Sequence, residues 1–283
     1  MKHSLRAIKG HGTENDFILI PDLDAVLSLS PELVRALCDR HRGIGADGVL
    51  RVVRTERATE PDVRAQADEA EFFMDYHNAD GSIAEMCGNG VRVFARYLHQ
   101  AGLAPEQTSI ATRGGSKAVE SIGEDISVDM GPSTIRRERP MVSVGGYGDS
   151  PSIAAIDMPN PHVVVELPDE ASLSALDLCR PPLVQPPLPD GQNVEFIVRT
   201  GPRRLRMRVH ERGVGETRSC GTGICAAVVA IADPAEATGE WEVDVPGGRC
   251  RVSWTATGSV VLSGPAVLVG EVDLDEDWVA AHR

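Results

Sequence analysis

Two short segments of the sequence combine a cysteine with two glycines at the start of a predicted helix. Cys87 begins Cys-Gly-Asn-Gly, and Cys220 begins Cys-Gly-Thr-Gly. A glycine after the cysteine lets backbone N–H groups approach a ligand closely, and the first N–H groups of a helix have no partner within it. Such a helix start attracts a carboxylate and favours thiolate over thiol. Each segment therefore predicts an anion site beside an acid-base group.

The occurrence of two such segments in one chain narrows the chemistry. One copy alone would fit a tight turn with a buried cysteine equally well, and a phosphate loop is disfavoured because neither copy is followed by the Lys-Ser/Thr of a P-loop. If both helix starts bind one carboxylate, the two sulfurs lie on opposite faces of the α-carbon. This arrangement predicts stereoinversion, in which one thiolate removes the α-proton and the other cysteine, as a thiol, delivers a proton.

The rest of the composition indicates a reaction without cofactor or metal. Amino-acid chemistry at the α-carbon often uses a pyridoxal group bound to lysine, but the three lysines (Lys2, Lys9 and Lys117) lie in no distinctive context. The cysteines lack the spacing of a structural zinc site, and we expect them to be reduced thiols. The six cysteines are Cys38, Cys87, Cys179, Cys220, Cys225 and Cys250.

The overall charge excludes several classes of partner. The 283 residues carry a formal net charge of −14, so we expect no binding to nucleic acid. The N-terminal segment lacks the apolar centre of a signal peptide, and no apolar run is long enough to cross a membrane. These features predict a cytoplasmic protein that binds a small molecule and no membrane.

Hydrophobic periodicity predicts the elements that position the two cysteines. The apolar run Phe17–Ile20 is typical of a strand, and Ser30 followed by Pro31 is typical of the start of a helix. After Cys87, apolar residues recur at helical spacing with Arg92 among the polar residues between them, which predicts a helix with one exposed face.

The second half of the chain shows a similar pattern. Residues 224–232 are all apolar, so the helix after Cys220 is predicted to be buried until Pro234 ends it. The segment around Pro246 predicts a β-hairpin. We therefore expect an α+β fold of two similar halves, each with many short strands around a central helix. The cleft between the halves would hold both helix starts.

Several long segments resemble the diaminopimelate epimerases, bacterial enzymes that interconvert LL- and meso-2,6-diaminopimelate. The resemblance implies two pseudo-symmetric lobes, each a curved, mostly antiparallel or barrel-like sheet around a central helix: residues 1–130, completed by 266–283, with Cys87, and residues 131–265 with Cys220. It also implies a role in lysine and peptidoglycan precursor biosynthesis, no cofactor and a homodimer. The matching segments are KGHGTENDFIL, RGIGADGVL, NADGSIAEMCGNGVRVFARYL, MPNPHVV, GQNVEFI, RVHERGVGETRSCGTGICAA and VPGGRCRV.

The resemblance also implies a role for each matching site residue. Cys87 and Cys220 match the two bases, with Cys87 as proton donor and Cys220 as acceptor in the LL to meso direction. His162 and Glu211 match residues that adjust the cysteine pKa values, and Glu211 also holds the substrate amine. The backbone donors to the reacting carboxylate match Gly88, Asn89, Gly221 and Thr222. The residues that recognise the distal end of the substrate match Asn15, Asn78, Asn160, Asn193 and Arg212.

Two positions depart from the family pattern. Gly48 stands where several members carry a substrate-contacting glutamine, so it could contact substrate only through its backbone. Pro159 stands where glycine is common and should stiffen its loop. Other matched residues also have ordinary structural interpretations: Asn78 and Asn160 as turn residues, His162 as a core histidine, and Glu211 with Arg212 as a surface ion pair.

Two other functions compete with this interpretation. A proline racemase or hydroxyproline epimerase would use the same two-cysteine chemistry on a ring substrate. Such a substrate has no distal zwitterion and would not need the set Asn15, Asn78, Asn193 and Arg212. A protein without epimerase activity could use Cys87 and Cys220 as a thiol switch.

Overall fold

The computed structural model describes residues 5–232 and 239–282, so Lys2 and Pro234 lie outside the described residues. The helices are α1 (Pro31–Cys38), α2 (Pro61–Arg64), α3 (Gly88–Gln100), α4 (Glu170–Ala175), α5 (Gly221–Ile231) and α6 (Glu276–Ala281), with a 3₁₀ turn at Thr55–Arg57. The strands are β1 (Leu5–Gly12), β2 (Asn15–Pro21), β3 (Gly48–Arg54), β4 (Phe72–Asn78), β5 (Gln107–Ala111), β6 (Lys117–Ile122), β7 (Asp125–Gly131), β8 (Thr134–Ile135), β9 (Met141–Val144), β10 (Gly148–Pro151), β11 (Ala154–Asp157), β12 (Pro161–Glu166), β13 (Leu183–Gln185), β14 (Asn193–Gly201), β15 (Arg204–Glu211), β16 (Gly215–Thr217), β17 (Trp241–Val245), β18 (Gly248–Trp254), β19 (Val260–Pro265) and β20 (Val267–Leu274).

The predicted α+β class is confirmed, with strands predominating over short helices. The chain divides into two compact units. One contains the residues up to Val128 together with those from Pro265, and the other runs from Asp129 to Gly264. None of the helices within residues 5–232 and 239–282 has the length and apolar character that crossing a membrane requires.

The first unit is a mixed sheet that surrounds α3. Strand β1 pairs antiparallel with both β2 and β20, while β2 with β3 and β4 with β5 are parallel pairs in an otherwise antiparallel order. Helix α3 packs against β1, β2, β3, β4, β6 and β20. Strand β2 is buried on both faces because α1 packs on the opposite side of the sheet, which explains the continuous apolar run Phe17–Ile20.

The turn between β1 and β2 determines where Asn15 lies. Gly12 pairs with Asn15, and the two residues between them, Thr13 and Glu14, have φ angles of 50° and 62°. Two-residue hairpin turns of this kind match the right-handed strand twist, but they normally use glycine or asparagine. A non-glycine residue in this region is strained by about 1–3 kcal/mol. The buried Arg92 donates to Thr13 Oγ1 at 3.1 Å and so helps to hold the strained turn.

Helix α3 differs from the prediction of a helix with one exposed face. Its residues from Gly88 to Ala95 are buried, as is Leu98, and Arg92 is fully buried although its spacing placed it among exposed polar residues. The guanidinium is accommodated because it donates to three oxygens: Asn89 Oδ1, Thr13 Oγ1 and the carbonyl of Pro265. Buried charge of this kind persists only where hydrogen bonds replace water.

The second unit has its own central helix. Helix α5 packs against β11, β12, β14, β15 and β18. Its residues Ile224–Val229 are all buried, as the apolar sequence predicted, whereas Ala230 and Ile231 are partly exposed and the helix ends at Ile231. A small antiparallel sheet of β9, β10 and β13 contributes Val142, Val144 and Val184 to a core beneath α4. The predicted hairpin is present as β17 and β18, with Val245 opposite Gly248.

The predicted start of α1 is also confirmed. Ser30 Oγ accepts a hydrogen bond from the backbone N–H of Leu33 at 3.1 Å, and Pro31 is the first helical residue. The apolar stripe of this helix, Leu33, Val34, Leu37 and Cys38, is buried. Burial raises the pKa of the Cys38 thiol to about 12, as expected for a cysteine that serves packing.

We expect Leu98→Ala to lower the free energy of unfolding by about 2–5 kcal/mol, because it leaves a cavity where α3 packs inside the first unit. Guanidinium titration followed by circular dichroism measures this loss. Gln100→Ala, on the exposed end of the same helix, is the control and should change stability by less than about 0.5 kcal/mol. Equal effects of the two variants would contradict the burial of this helix.

Candidate active site

Cys87 occupies the N-cap of α3 in an extended conformation, with φ −143° and ψ 120°. No side chain caps this helix start, and the first helical residues, Gly88 and Asn89, are buried. The Cys87 carbonyl accepts the first helical hydrogen bond, from Val91 N at 2.8 Å. The thiol therefore lies beside the positive end of the helix dipole, where a carboxylate would be stabilised.

Two asparagines surround the sulfur of Cys87. The Cys87 Sγ donates to Asn15 Oδ1 at 3.7 Å, and Asn89 Nδ2 donates to the same oxygen at 3.2 Å. The other end of the Asn15 amide donates to Asp47 Oδ2 at 2.7 Å. The structure thus brings together three of the site residues indicated by the sequence, Cys87, Asn15 and Asn89.

Asn78 ends β4 and begins a tight turn. Its Nδ2 donates to Ser82 Oγ at 3.0 Å, and its backbone N–H donates to the Ser82 carbonyl at 2.9 Å. Asp80 Oδ1 accepts from both the N–H and the hydroxyl of Ser82. Asn78 therefore has the structural role of a turn residue, and this turn holds its amide in one orientation.

The environment of Gly48 explains the absence of a side chain there. Gly48 pairs with Asn78 across β3 and β4. A Cβ atom at this position would lie 2.6 Å from the His77 carbonyl oxygen and 2.7 Å from Tyr76 Cε2. Contacts of this length are too short, so a glutamine does not fit unless the backbone shifts. Gly48 can offer a substrate only its backbone.

Cys220 occupies the corresponding position in the second unit. It is the N-cap of α5, with φ −123° and ψ 112°, and again no side chain caps the helix. Gly221 and Gly223 are buried, and Ile224 N donates to the Cys220 carbonyl at 2.9 Å. The two cysteines therefore share backbone conformation, helix position and a following glycine.

The polar contacts of Cys220 differ from those of Cys87. Asn193 Nδ2 donates to the Cys220 sulfur at 3.8 Å, and its Oδ1 accepts from the backbone N–H of Arg212 at 2.9 Å. The hydroxyl of Thr222 lies 3.5 Å from the Cys220 sulfur. The Glu211 carboxyl is hydrogen-bonded to the Cys220 thiol. Cys220 therefore faces an amide donor, whereas Cys87 faces an amide acceptor.

A fully buried histidine and carboxylate lie beside this second site. His162 Nδ1 is 2.6 Å from Glu195 Oε1, and His162 Nε2 is 3.0 Å from Asn160 Oδ1. The parallel pairing of β12 with β14 places His162 opposite Asn193. A Cβ atom added to Gly223 would lie 2.6 Å from Glu195 Oε1 and 3.3 Å from Cys220 Sγ, so glycine is required for the carboxylate to approach this helix start.

Burial and negative charge act together on the Cys220 thiol. Burial raises its pKa well above the usual range, and the charges of Glu211 and Glu195 raise it further. Hydrogen bonds from the Thr222 hydroxyl and the Gly223 N–H act in the opposite direction. Burial also raises the pKa of Glu211, against hydrogen bonds from Thr217 and Cys220. A cation placed near Glu211 would therefore favour the Cys220 thiolate.

Arg212 lies at the edge of the second site. Its side chain is exposed, and its guanidinium donates to the carbonyl of Asp190. A backbone group thus holds the guanidinium at the edge of the site. In the part of the chain that the structure describes, no group of three or more His, Cys, Asp or Glu side chains is arranged to bind a metal ion.

Comparison with known proteins identifies the family. The family model for diaminopimelate epimerase matches residues 7–136 and 154–269. A diaminopimelate epimerase from Streptomyces coelicolor is 49% identical over 99% of this chain and 98% of its own length. One from Thermobifida fusca is 48% identical over 95% of this chain and 98% of its own. The chain belongs to the diaminopimelate epimerase family. It is an isomerase, as the two-cysteine pattern predicted.

Solved structures of more distantly related proteins have the same fold as this chain. A phenazine biosynthesis protein of the PhzF family from Bacillus anthracis matches with a TM-score of 0.68 at 14% identity, covering 97% of this chain and 100% of its own. A hydroxyproline epimerase from Agrobacterium vitis matches with a TM-score of 0.66 at 13% identity, covering 98% and 94%. At this level of identity the likeness establishes the fold alone.

Three residues that contact this candidate diaminopimelate epimerase site were not identified from the sequence. Glu195 is a buried carboxylate in the apolar strand β14, and a charged residue in such a run is itself a signal of a polar contact. Asp47 is an exposed residue in a glycine-containing loop before β3, where an aspartate gives no distinctive signal. Arg92 was assigned to an exposed helix face, and its burial depends on partners more than 70 residues away in the chain.

We expect Glu211→Gln to lower the pH midpoint at which iodoacetamide alkylates Cys220 by about one unit, because it removes a negative charge beside the thiolate while keeping the shape of the side chain. Peptide-resolved mass spectrometry across a pH series measures the midpoint. Glu216→Gln is the matched control, since Glu216 is exposed and pairs with Arg208. An unchanged or higher midpoint in Glu211→Gln would contradict the electrostatic account.

Proposed function

We propose that this protein interconverts LL- and meso-2,6-diaminopimelate by proton transfer between the substrate α-carbon and two cysteines, without a cofactor. Family membership and the 44–49% identity of relatives named diaminopimelate epimerase support the substrate. The observation that carries the mechanism is that Cys87 and Cys220 both occupy the N-cap of a helix without a side-chain cap and with glycine next in sequence. An anion site and an acid-base group coincide at each helix start.

The proposed reaction exchanges one proton on each face of the α-carbon. In the LL to meso direction, the Cys220 thiolate removes the α-proton and the Cys87 thiol donates a proton to the opposite face. The reverse direction exchanges these roles. Because the carbanion stabilised by the adjacent carboxylate is high in energy, the N–H groups of both helix starts must already point at that carboxylate. We assign this role to Gly88, Asn89, Gly221 and Thr222.

The proposed distal contacts suit a zwitterion. Asn15, Asn78, Asn160 and Asn193 supply neutral amides, and the Arg212 guanidinium supplies a positive charge to the distal carboxylate. We assign Glu211 to the substrate ammonium group, whose positive charge would offset the carboxylates that raise the Cys220 pKa. His162 would adjust the same pKa through the Glu195 carboxylate that it contacts. Substrate binding and formation of the thiolate are thereby coupled.

The proposed setting is the cytoplasm, where the product would serve lysine and peptidoglycan precursor synthesis. We also propose a homodimer. Its support is the run of exposed valines on β20, at Val267, Val269 and Val272, which a second copy of the chain could cover. Light scattering after size exclusion measures the mass, and a monomer at micromolar concentration would contradict this part of the proposal.

We expect Cys87→Ala and Cys220→Ala each to lower the rate of epimerisation of LL-diaminopimelate by at least about 10³-fold, and the double variant to lose little more, because the two bases act as one unit. Chiral chromatography of the two isomers measures the rate. Cys179→Ala, which changes an exposed cysteine, is the control and should retain full activity. Full activity in either single variant would contradict the two-base mechanism.

Assay of a second substrate separates the proposal from its competitors. Activity on L-proline or hydroxyproline, with none on diaminopimelate, would favour the ring-substrate epimerases whose fold this chain shares. Absence of epimerase activity in both the unaltered protein and Cys87→Ser, together with reversible oxidation of Cys87 and Cys220, would favour a thiol switch. Our proposal predicts activity on diaminopimelate and its loss in Cys87→Ser.

A further inference from the structure

The orientation of an asparagine amide decides whether it stabilises a thiol or a thiolate. An amide oxygen accepts a hydrogen bond from S–H and so favours the thiol, whereas an amide N–H₂ donates to sulfur and favours the thiolate. Asn15 contacts Cys87, and Asn193 contacts Cys220. The neighbours of each asparagine therefore determine whether its amide favours the thiol or the thiolate of the adjacent cysteine.

Asp47 determines the orientation of the Asn15 amide. A carboxylate can only accept hydrogen bonds, so the N–H₂ end of Asn15 must face Asp47 Oδ2, where it lies at 2.7 Å. The oxygen end then faces the Cys87 sulfur. Asp47 is itself held by Arg40, which donates to its Oδ1 at 2.8 Å, and by the backbone N–H of Asp16, which donates to its Oδ2 at 3.2 Å.

Arg92 imposes the same orientation from the opposite side. A guanidinium can only donate, so the Asn89 oxygen must face Arg92, where it lies at 2.6 Å. The N–H₂ end of Asn89 then points at Asn15 Oδ1, at 3.2 Å, and requires an acceptor there. If the Asn15 amide were reversed, its N–H₂ group would face the N–H₂ group of Asn89. The same N–H₂ group would replace the oxygen that accepts from the Cys87 thiol. Two independent neighbours thus select one arrangement.

The contrast with Cys220 shows that this polarity is specific to one cysteine. At Asn193 the fixed neighbour is a backbone N–H, that of Arg212, which donates to Asn193 Oδ1. The N–H₂ end of Asn193 is therefore left to face the Cys220 sulfur. The two asparagine amides thus present opposite ends to the two sulfurs, although both cysteines occupy the same position on their helices and Cys220 also contacts the Glu211 carboxyl.

We propose that Asp47 and Arg92 are positioning residues that hold the Asn15 amide with its oxygen toward Cys87, so that the protein without substrate keeps Cys87 as the proton-donating thiol. This inference rests on the proposed function, in which Cys87 delivers a proton in the LL to meso direction. The charged groups that contact this network are Asp16, Lys9 and Arg40 around Asp47, and Arg92 beyond Asn89.

The test is the pH midpoint of Cys87 alkylation by iodoacetamide in the full-length protein without substrate, measured by peptide-resolved mass spectrometry. In Asp47→Asn the new amide can donate or accept, so Asn15 can reverse and donate to the thiolate. We expect the midpoint to fall by about one pH unit. Asp47→Glu retains a carboxylate that can only accept and should keep the midpoint close to that of the unaltered protein.

Asp16→Asn separates orientation from charge. Asp16 and Asp47 both accept hydrogen bonds from Arg40, so Asp16→Asn also removes one negative charge from this cluster. It leaves the contact between Asp47 and the Asn15 side chain in place. A fall in Asp47→Asn that clearly exceeds the fall in Asp16→Asn supports the proposal. Equal falls, or no fall in Asp47→Asn, overturn it. If Asp47→Asn does not fold, Asp47→Ser, whose hydroxyl can also donate or accept, is measured in its place with the same criteria.

The outcome is independent of the test of the proposed function. Alkylation reports the state of the Cys87 thiol without any turnover. If the alkylation midpoint does not fall in Asp47→Asn while epimerase activity still depends on Cys87, only the positioning role is refuted. Full epimerase activity in Cys87→Ala would refute the proposed function, whatever the alkylation midpoint.

Discussion

The uncapped N-terminus of a helix, with a cysteine at the N-cap, is the feature on which the rest of this structure depends. In both units a cysteine takes the N-cap position with an extended backbone, and the next residue, a glycine, begins the helix. An N-cap without a side-chain oxygen leaves the helix dipole to be stabilised by something else. In each unit the strands of the surrounding sheet pack against one helix and so hold its N-terminus in place.

The neighbourhoods of the two cysteines have different chemistry. Cys87 lies among neutral amides whose orientation is set by ions further out, namely Asp47 and Arg92. Cys220 is buried beside two acids, the half-buried Glu211 and the fully buried Glu195, and its pKa is raised first by burial and then by these charges. A ligand that brings a positive charge to Glu211 would therefore favour the Cys220 thiolate. Two-base proton transfer needs such a difference, because one sulfur must be a thiolate while the other remains a thiol.

The sequence was sufficient to predict the helix starts at Gly88 and Gly221, because glycine after a cap residue and apolar periodicity are local signals. It was not sufficient to predict the burial of Arg92, whose partners Thr13 and Pro265 become its neighbours only after folding. Glu195 was missed for a similar reason, since its partner His162 lies on another strand. The crowding that excludes a side chain at Gly48 likewise depends on the pairing of β3 with β4. Local signals predicted the elements, and long-range contacts determined the polarity around the sulfurs.

The most direct test of the central claim is the isotope content of both isomers early in the reaction of LL-diaminopimelate in deuterium oxide with the unaltered protein. Two cysteines that act on opposite faces predict that the meso product carries deuterium at the inverted carbon, because its new hydrogen comes from a thiol already exchanged with solvent. The remaining LL isomer should stay largely unlabelled. Product that mostly retains the original hydrogen would mean that one base serves both faces, and it would contradict the account.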